Sequence, residues 1–144
     1  MKNLNHPVKE LIWISKKSTI SDPKNYFDYG DPFSDDEILK EASITLNGTQ
    51  RIDERDNLFF RFIQPYQHHT RIPMDYIYLY SFALKPEEIQ PSGSCNFSRI
   101  DSAYLNIKNN PYTKPDYNVE YVVYALNWNV LRIQSGMGGI AFTN

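Results

Sequence analysis

The sequence predicts an all-β fold, a jelly-roll β-sandwich with one short helix, and three observations carry that reading. Aromatic residues make up 15% of the 144, with eleven Tyr and eight Phe, and these are side chains that fit a pleated, half-buried surface. Short apolar and β-branched runs recur along the chain, each closed by Pro, Gly, Asn or Asp, which is the punctuation of strands and turns. Only the stretch around residue 60 repeats its apolar positions at helical spacing. The length describes a single domain, residues 1–144, with a modest core.

Taken in order, Pro7 precedes VKELIWI, a first strand over residues 8–14. Residues 16–41 break the pattern. Asp22, Asp28, Asp31, Asp35, Asp36, Glu37 and Glu41 interleave with Pro23, Gly30 and Pro32, and apart from a short helical turn around 37–40 no period is sustained, so a long acidic surface loop is expected. Ala42, Ile44 and Leu46 then alternate with Ser43 and Thr45 up to Asn47-Gly48, a pair suited to the positive backbone angles of a tight hairpin. Ile52 continues the partner strand. Asp53 is placed to cap a short helix whose one face carries Leu58, Phe59, Phe62 and Ile63 and which Pro65 ends.

The segment 76–84 is apolar at both parities, with Tyr76, Tyr78, Tyr80, Phe82 and Leu84 on one face and Ile77, Leu79 and Ala83 on the other, as in a strand covered on both sides. Lys85-Pro86 stops it, Gln90-Pro91-Ser92-Gly93 turns, and residues 96–101 re-extend as a strand. Ala103, Leu105 and Ile107 alternate with Tyr104 and Asn106 before a loop holding Asn109-Asn110-Pro111 and Lys114-Pro115-Asp116. Residues 120–134 give the longest strand signal, with Val122, Tyr124, Leu126, Trp128 and Val130 on one face and Tyr121, Val123, Asn127 and Asn129 on the other. A strand of that length is uncommon, so a bend or break at 127–129 is expected. SGMGG at 135–139 reads as a flexible turn and Ile140-Ala141-Phe142 as a last strand.

Charge and composition exclude several classes. A net charge of −2 and a pI near 5.9 provide no basic field for direct binding of nucleic acid or an anionic membrane. The longest early apolar run is 11–14, which predicts neither a signal peptide nor membrane insertion and points to manufacture in the cytosol. Cys95 is the single cysteine, so no internal disulfide forms.

No residue is assigned a catalytic, cofactor-binding or metal role. His68 and His69, adjacent in a strand, point to opposite faces, and His6 is remote in sequence. Cys95 has only Ser94 and Asn96 beside it, which provide no base. The glycines at 92–94 and 135–139 lack the lysine of a phosphate loop, and Asp31, Asp35, Asp36 and Glu37 lack the ligand order of a calcium loop. Arg99 with Asp101, and Arg51 with Glu54 or Asp56, are expected as orienting pairs. Asn47 and Asn96 match the glycosylation pattern, but their turn and strand-start positions favour structural roles. A structural protein results, not an enzyme. Two other classes have specific requirements: a jelly-roll carbohydrate-binding module would present Tyr112, Tyr117 and Trp128 as sugar platforms, and a cupin-like metalloenzyme would bring His6, His68 and His69 together.

The segments YSFALKPEE, QPSGSCNFSRID and NVLRIQSGMGGIAFTN, with HPVKELIWI and LNGTQRIDERDNLFFRFIQPYQHHT ahead of them, closely resemble the carboxyl-terminal part of the double jelly-roll major capsid proteins of nucleocytoplasmic large DNA viruses. The resemblance covers most of the chain. It implies the second jelly roll of such a protein, with Met1 inside that roll and its first strands missing. It also implies homotrimers forming pseudo-hexagonal capsomers of an icosahedral shell, contacts with minor capsid proteins, no cofactor, a place in the virion and assembly in the host cytoplasm. In that family the QPYQHHT stretch implies packing and hydrogen bonding. Loss of opening strands would uncover edges and core, so the chain alone is expected to be poorly soluble or oligomeric.

Overall fold

Strand β1 (Pro7–Lys17) is the hub of the molecule. In the computed structural model, which describes residues 1, 4–17, 27, 29–31, 37–111 and 119–142, β1 is followed by β2 (Leu39–Leu46), β3 (Thr49–Asp56), a π-helical turn (Phe59–Ile63) and α1 (Gln64–His68). Then come β4 (Ile77–Ser81), β5 (Cys95–Asn96), a 3₁₀ turn (Phe97–Arg99), β6 (Ala103–Asn109), β7 (Val119–Asn127), β8 (Leu131–Gln134) and β9 (Met137–Ile140).

Two antiparallel sheets face each other. In the first, β7 runs along one edge of β1, while β4 and β5 share the other, because Val8 pairs with both Cys95 and Asn127. The second has the order β3-β2-β6. Between them lie Val8, Leu11 and Trp13 of β1, Leu39, Ala42 and Ile44 of β2, and Phe60, Tyr78, Tyr80, Phe97 and Ala103. Strict alternation would put Val8 and Leu11 on opposite faces. A register irregularity between Val8 and Glu10 realigns them, and one between Leu39 and Glu41 does the same for Leu39 and Ala42, as extra residues at bulges do.

Trp13 stacks on Tyr78 (ring centroids 6.1 Å) and meets the edge of Phe60 (5.1 Å). β4 is buried on both faces, as its two apolar parities predict. Its free edge is covered by the helical segment, where the buried Gln64 side chain accepts the Ser81 amide at 3.0 Å. Asn47 (φ 49°) and Gly48 (φ 75°) form the expected hairpin turn between β2 and β3. The expected break in the long late strand falls at residues 128–130, between β7 and β8.

Several local expectations are corrected. Residues 37–40 are not helical, because Leu39 and Lys40 already belong to β2, where Leu39 pairs with Asn109 and is drawn into the core. β3 extends through Asp53 to Asp56, and Asp56, not Asp53, accepts the Phe59 amide at 3.1 Å. Pro65 does not end the helix; it sits in the first turn of α1, where a missing N–H costs nothing. The strand expected over 96–101 stops at Asn96, whose side chain accepts the Ser98 amide and turns the chain into a 3₁₀ turn. Met137, Gly138 and Gly139 belong to β9, and the turn is Ser135-Gly136 (φ 52° and 78°). Of the acidic loop, most lies outside the described residues. Its described part is not all solvated, since Gly30 and Asp31 are buried and Ser15 donates to the Tyr29 carbonyl at 2.6 Å.

Candidate functional site

The surface and its fixings, rather than a cleft, hold the chemistry of this chain. His69, just past α1, has Nε2 2.7 Å from Glu10 Oε2 and Nδ1 3.1 Å from Glu87 Oε1. The Thr70 amide also donates to Glu87, and this bond, with His69 assisting, holds the Glu87 carboxyl below the usual range. Lys9 Nζ donates to the Glu88 carbonyl at 3.0 Å, and His68 Nδ1 lies 3.0 Å from the Leu84 carbonyl. One cluster thus ties the helix end, the 84–92 loop and the hub strand together. His68 and His69 sit at a helix end rather than in a strand, and they serve packing and hydrogen bonding. Glu10, a carboxylate directly ahead of the apolar run 11–14, is the sequence signal for this cluster; its partners are too distant in sequence to pair by inspection.

On the other side of the hub, Arg61 Nη1 lies 3.3 Å from Glu37 Oε2, and its guanidinium stacks on Tyr76 (4.3 Å) and Phe62 (4.9 Å). Burial raises the Glu37 carboxyl above its usual range, against the opposing pull of Tyr78 and Arg61. Burial and the Glu37 charge together push the Tyr78 hydroxyl far above the ordinary tyrosine range. Lys108 of β6 bridges Glu41 of β2 and Glu54 of β3 across the second sheet, whereas neither Arg99–Asp101 nor Arg51 with Glu54 or Asp56 forms an ion pair.

The outward surface is apolar over wide areas. Met74 and Ile89 are each 93% exposed. Leu58, Ile63 and Tyr66 project from the helical end. β7 turns Tyr121, Val123 and Ala125 to the core and leaves Tyr124 and Leu126 in solvent. The β8–β9 hairpin is exposed along both strands, with Leu131, Ile133 and Ile140 on one face.

Compared with known proteins, residues 2–139 match the family model for the large eukaryotic DNA virus major capsid protein. The chain belongs to that major capsid protein family. It is 41% identical over 166 residues to the major capsid protein of Pyramimonas orientalis virus, covering 99% of this chain and 38% of that one. With the major capsid protein of Paramecium bursaria Chlorella virus 1 it is 36% identical over 188 residues, covering 99% and 42%. The chain spans less than half the length of each of these relatives. Its structure matches the quasi-atomic model of the PBCV-1 virus capsid with a TM-score of 0.74 and 33% identity, over 99% of this chain and 45% of that one. The Faustovirus major capsid protein, 13% identical with a TM-score of 0.69, agrees in fold.

These capsid relatives are structural proteins, and the jelly-roll expectation is met. The carbohydrate-platform alternative finds no support: Trp128 packs edge-on against Phe142 (5.8 Å) with its amide bonded to Pro7, while Tyr112 and Tyr117 lie outside the described residues. The three histidines do not converge: His6 packs against Phe142, away from the His68 and His69 contacts. Among the described residues no group of three His, Cys, Asp or Glu is placed to hold a metal ion. Cys95 is half-buried, and burial raises its thiol away from the reactive range. Asn47 Oδ1 accepts the Asp101 and Ser102 amides at 2.9 and 3.1 Å, so its side chain is part of the corner between β2 and β6.

Proposed function

We propose that this chain is the carboxyl-terminal jelly-roll portion of a major capsid subunit, which trimerises into pseudo-hexagonal capsomers of an icosahedral shell. The observation that carries the reading is the pairing of family membership with a two-sheet sandwich that leaves apolar side chains exposed at its helical end, on β7 and along β8–β9. Isolated exposed apolar residues are ordinary, but contiguous ones mark contact surfaces. A two-stranded hairpin such as β8–β9 is marginal in water without something to pack against. Its partners on this reading are other copies of the capsid protein and minor capsid proteins, without direct contact to nucleic acid or insertion into a membrane, in a virion assembled in the host cytoplasm. Function here is shape: large complementary interfaces between rigid blocks. Light scattering after size-exclusion chromatography tests it. A mass three times that of the chain supports the reading, and a stable monomer at all concentrations contradicts it.

A further inference from the structure

Both ring nitrogens of His69 face carboxylate oxygens: Nε2 lies 2.7 Å from Glu10 Oε2 and Nδ1 lies 3.1 Å from Glu87 Oε1. An ionised carboxylate only accepts hydrogen bonds, and a neutral imidazole carries a single N–H. A neutral ring between two carboxylates therefore donates to one and turns a lone pair on the other. Donation at both ends requires one more proton, and the 2.7 Å contact falls in the range of a charge-assisted N–H···O bond, about 2.7–2.9 Å. The neighbouring His68 differs, since its Nδ1 faces the Leu84 carbonyl at 3.0 Å, an acceptor that a neutral ring satisfies.

The charges around the ring favour that proton. Glu87 is held as a carboxylate by the Thr70 amide and hydroxyl at 3.2 and 3.3 Å. Glu10 of β1 is 2% exposed, so little water compensates it. Lys9 Nζ is turned to the Glu88 carbonyl at 3.0 Å, and Lys85 and Glu88 pair with each other at 3.1 Å. An imidazolium is the cation that lies between Glu10 and Glu87. The same ring stands at a junction of three elements. Lys9 lies at the register irregularity of β1, and its carbonyl accepts the Phe82 and Ala83 amides at 2.8 and 3.2 Å. The hub strand thus grips the root of the 84–92 loop from one side, while His68 and His69 grip it from the end of α1.

We propose that His69 stands in the folded chain as an imidazolium between Glu10 and Glu87, and that this proton latches the 84–92 loop to β1 and to the end of α1. Loss of the proton leaves a nitrogen lone pair facing a carboxylate, so one of the two contacts opens. Histidine is the side chain that changes charge in the neutral range. The latch is closed on the acid side of that range, and the stability it contributes is lost as pH rises. The loop carries Leu84 and Ile89, 73% and 93% exposed, and the latch fixes how they are presented. It acts within one chain and stands apart from assembly into a shell.

Imidazole nitrogen–proton correlation spectra of the 144-residue chain test it, with the three histidine rings told apart by His6→Gln and His68→Gln. At about pH 7.5, where a free histidine is mostly neutral, the expected result is a proton on both His69 nitrogens in the folded chain and on only one after unfolding in urea. As the second proton leaves at higher pH, amide protection at Phe82 and Leu84, corrected for the intrinsic pH dependence of exchange, is expected to fall roughly tenfold. The amides of Leu11 and Trp13 report that the fold is intact. Glu87→Gln alters a partly exposed side chain; its Oε1 still accepts from Thr70 while its amide donates to Nδ1, so a neutral ring is satisfied. That variant is expected to show one ring proton at about pH 7.5 and loop protection that no longer varies with pH. A single ring proton in the folded chain, a proton on Glu10 with Nε2 bare, loop protection indifferent to the charge of the ring, or an unaltered profile in Glu87→Gln would each overturn the proposal.

Discussion

His69 Nε2 lies 2.7 Å from Glu10 Oε2, and this contact fastens the end of α1 to the middle of β1. Glu10 is 2% exposed, so its carboxylate depends on the imidazole for compensation. Removing the imidazole leaves a buried carboxylate oxygen without its hydrogen bond, which costs about 1–3 kcal/mol. His69→Ala is expected to lower unfolding stability by about that amount in urea titration. Glu87→Ala, which removes the solvent-exposed partner of the same ring, is expected to have a much smaller effect, since water takes over its role.

The aromatic cluster at Trp13 carries a second expectation. Trp13 and Phe60 are both fully buried with ring centroids 5.1 Å apart, and truncation of either leaves a cavity that two facing sheets cannot collapse around. Phe60→Ala is expected to destabilise by about 3–5 kcal/mol. Leu58→Ala, two residues away and exposed, is expected to change stability by less than about 0.5 kcal/mol. Thermal denaturation of the two variants side by side checks the contrast.

Much of this was legible in the sequence, and the exceptions share a cause. Alternation found β2, β6 and β7, and the Asn47-Gly48 pair found the hairpin, because period and turn chemistry are local. The double burial of β4 was read from two apolar parities. Residues 37–40 and 96–101 were misread because the outcome depends on distant partners: Leu39 is held in a strand by β6, and the turn at 97–99 is held by His6, whose carbonyl accepts the Phe97 amide and whose amide donates to the Ser98 hydroxyl. The joint end of helix and strand at 56–68 was blurred because Asp53 and Asp56 are both capping residues and only pairing with β2 decides between them. The His69–Glu10–Glu87 cluster spans separations of 59 and 18 residues, so no spacing rule reveals it. Which face of β7 turns inward was equally closed to inspection, since both parities are apolar.

Gly93 has φ 138°, and a Cβ there would lie 2.8 Å from the Phe82 carbonyl oxygen. Backbone, unlike a side-chain tip, cannot move aside cheaply. Gly93→Ala is therefore expected to destabilise by about 1–3 kcal/mol, whereas Gly138→Ala in β9, with open space around it, is expected to be neutral within about 0.5 kcal/mol. Differential scanning calorimetry distinguishes them.

Two carboxyls give opposite dependences on pH. Glu37 has its pKa raised by burial from 4.5, so the folded state holds its proton more tightly than the unfolded chain. Its contribution is greatest below 4.5 and falls as pH rises through the raised value. Glu87 has its pKa lowered, chiefly by the Thr70 amide, so its contribution is full above 4.5 and is lost as pH falls through the lowered value. Tm profiles are expected to show that Glu37→Gln removes a decline on the alkaline side of 4.5, while Glu87→Gln removes a decline on the acid side.

The central claim is that this chain is a shell component, and quantitative peptide mass spectrometry of purified particles of the virus that encodes it tests that most directly. The expected result is that peptides from β3 and from β7 are recovered at the abundance of the principal shell protein and remain with the shell after the genome is released. Their absence from purified particles, or recovery at trace levels that wash away, would contradict the account.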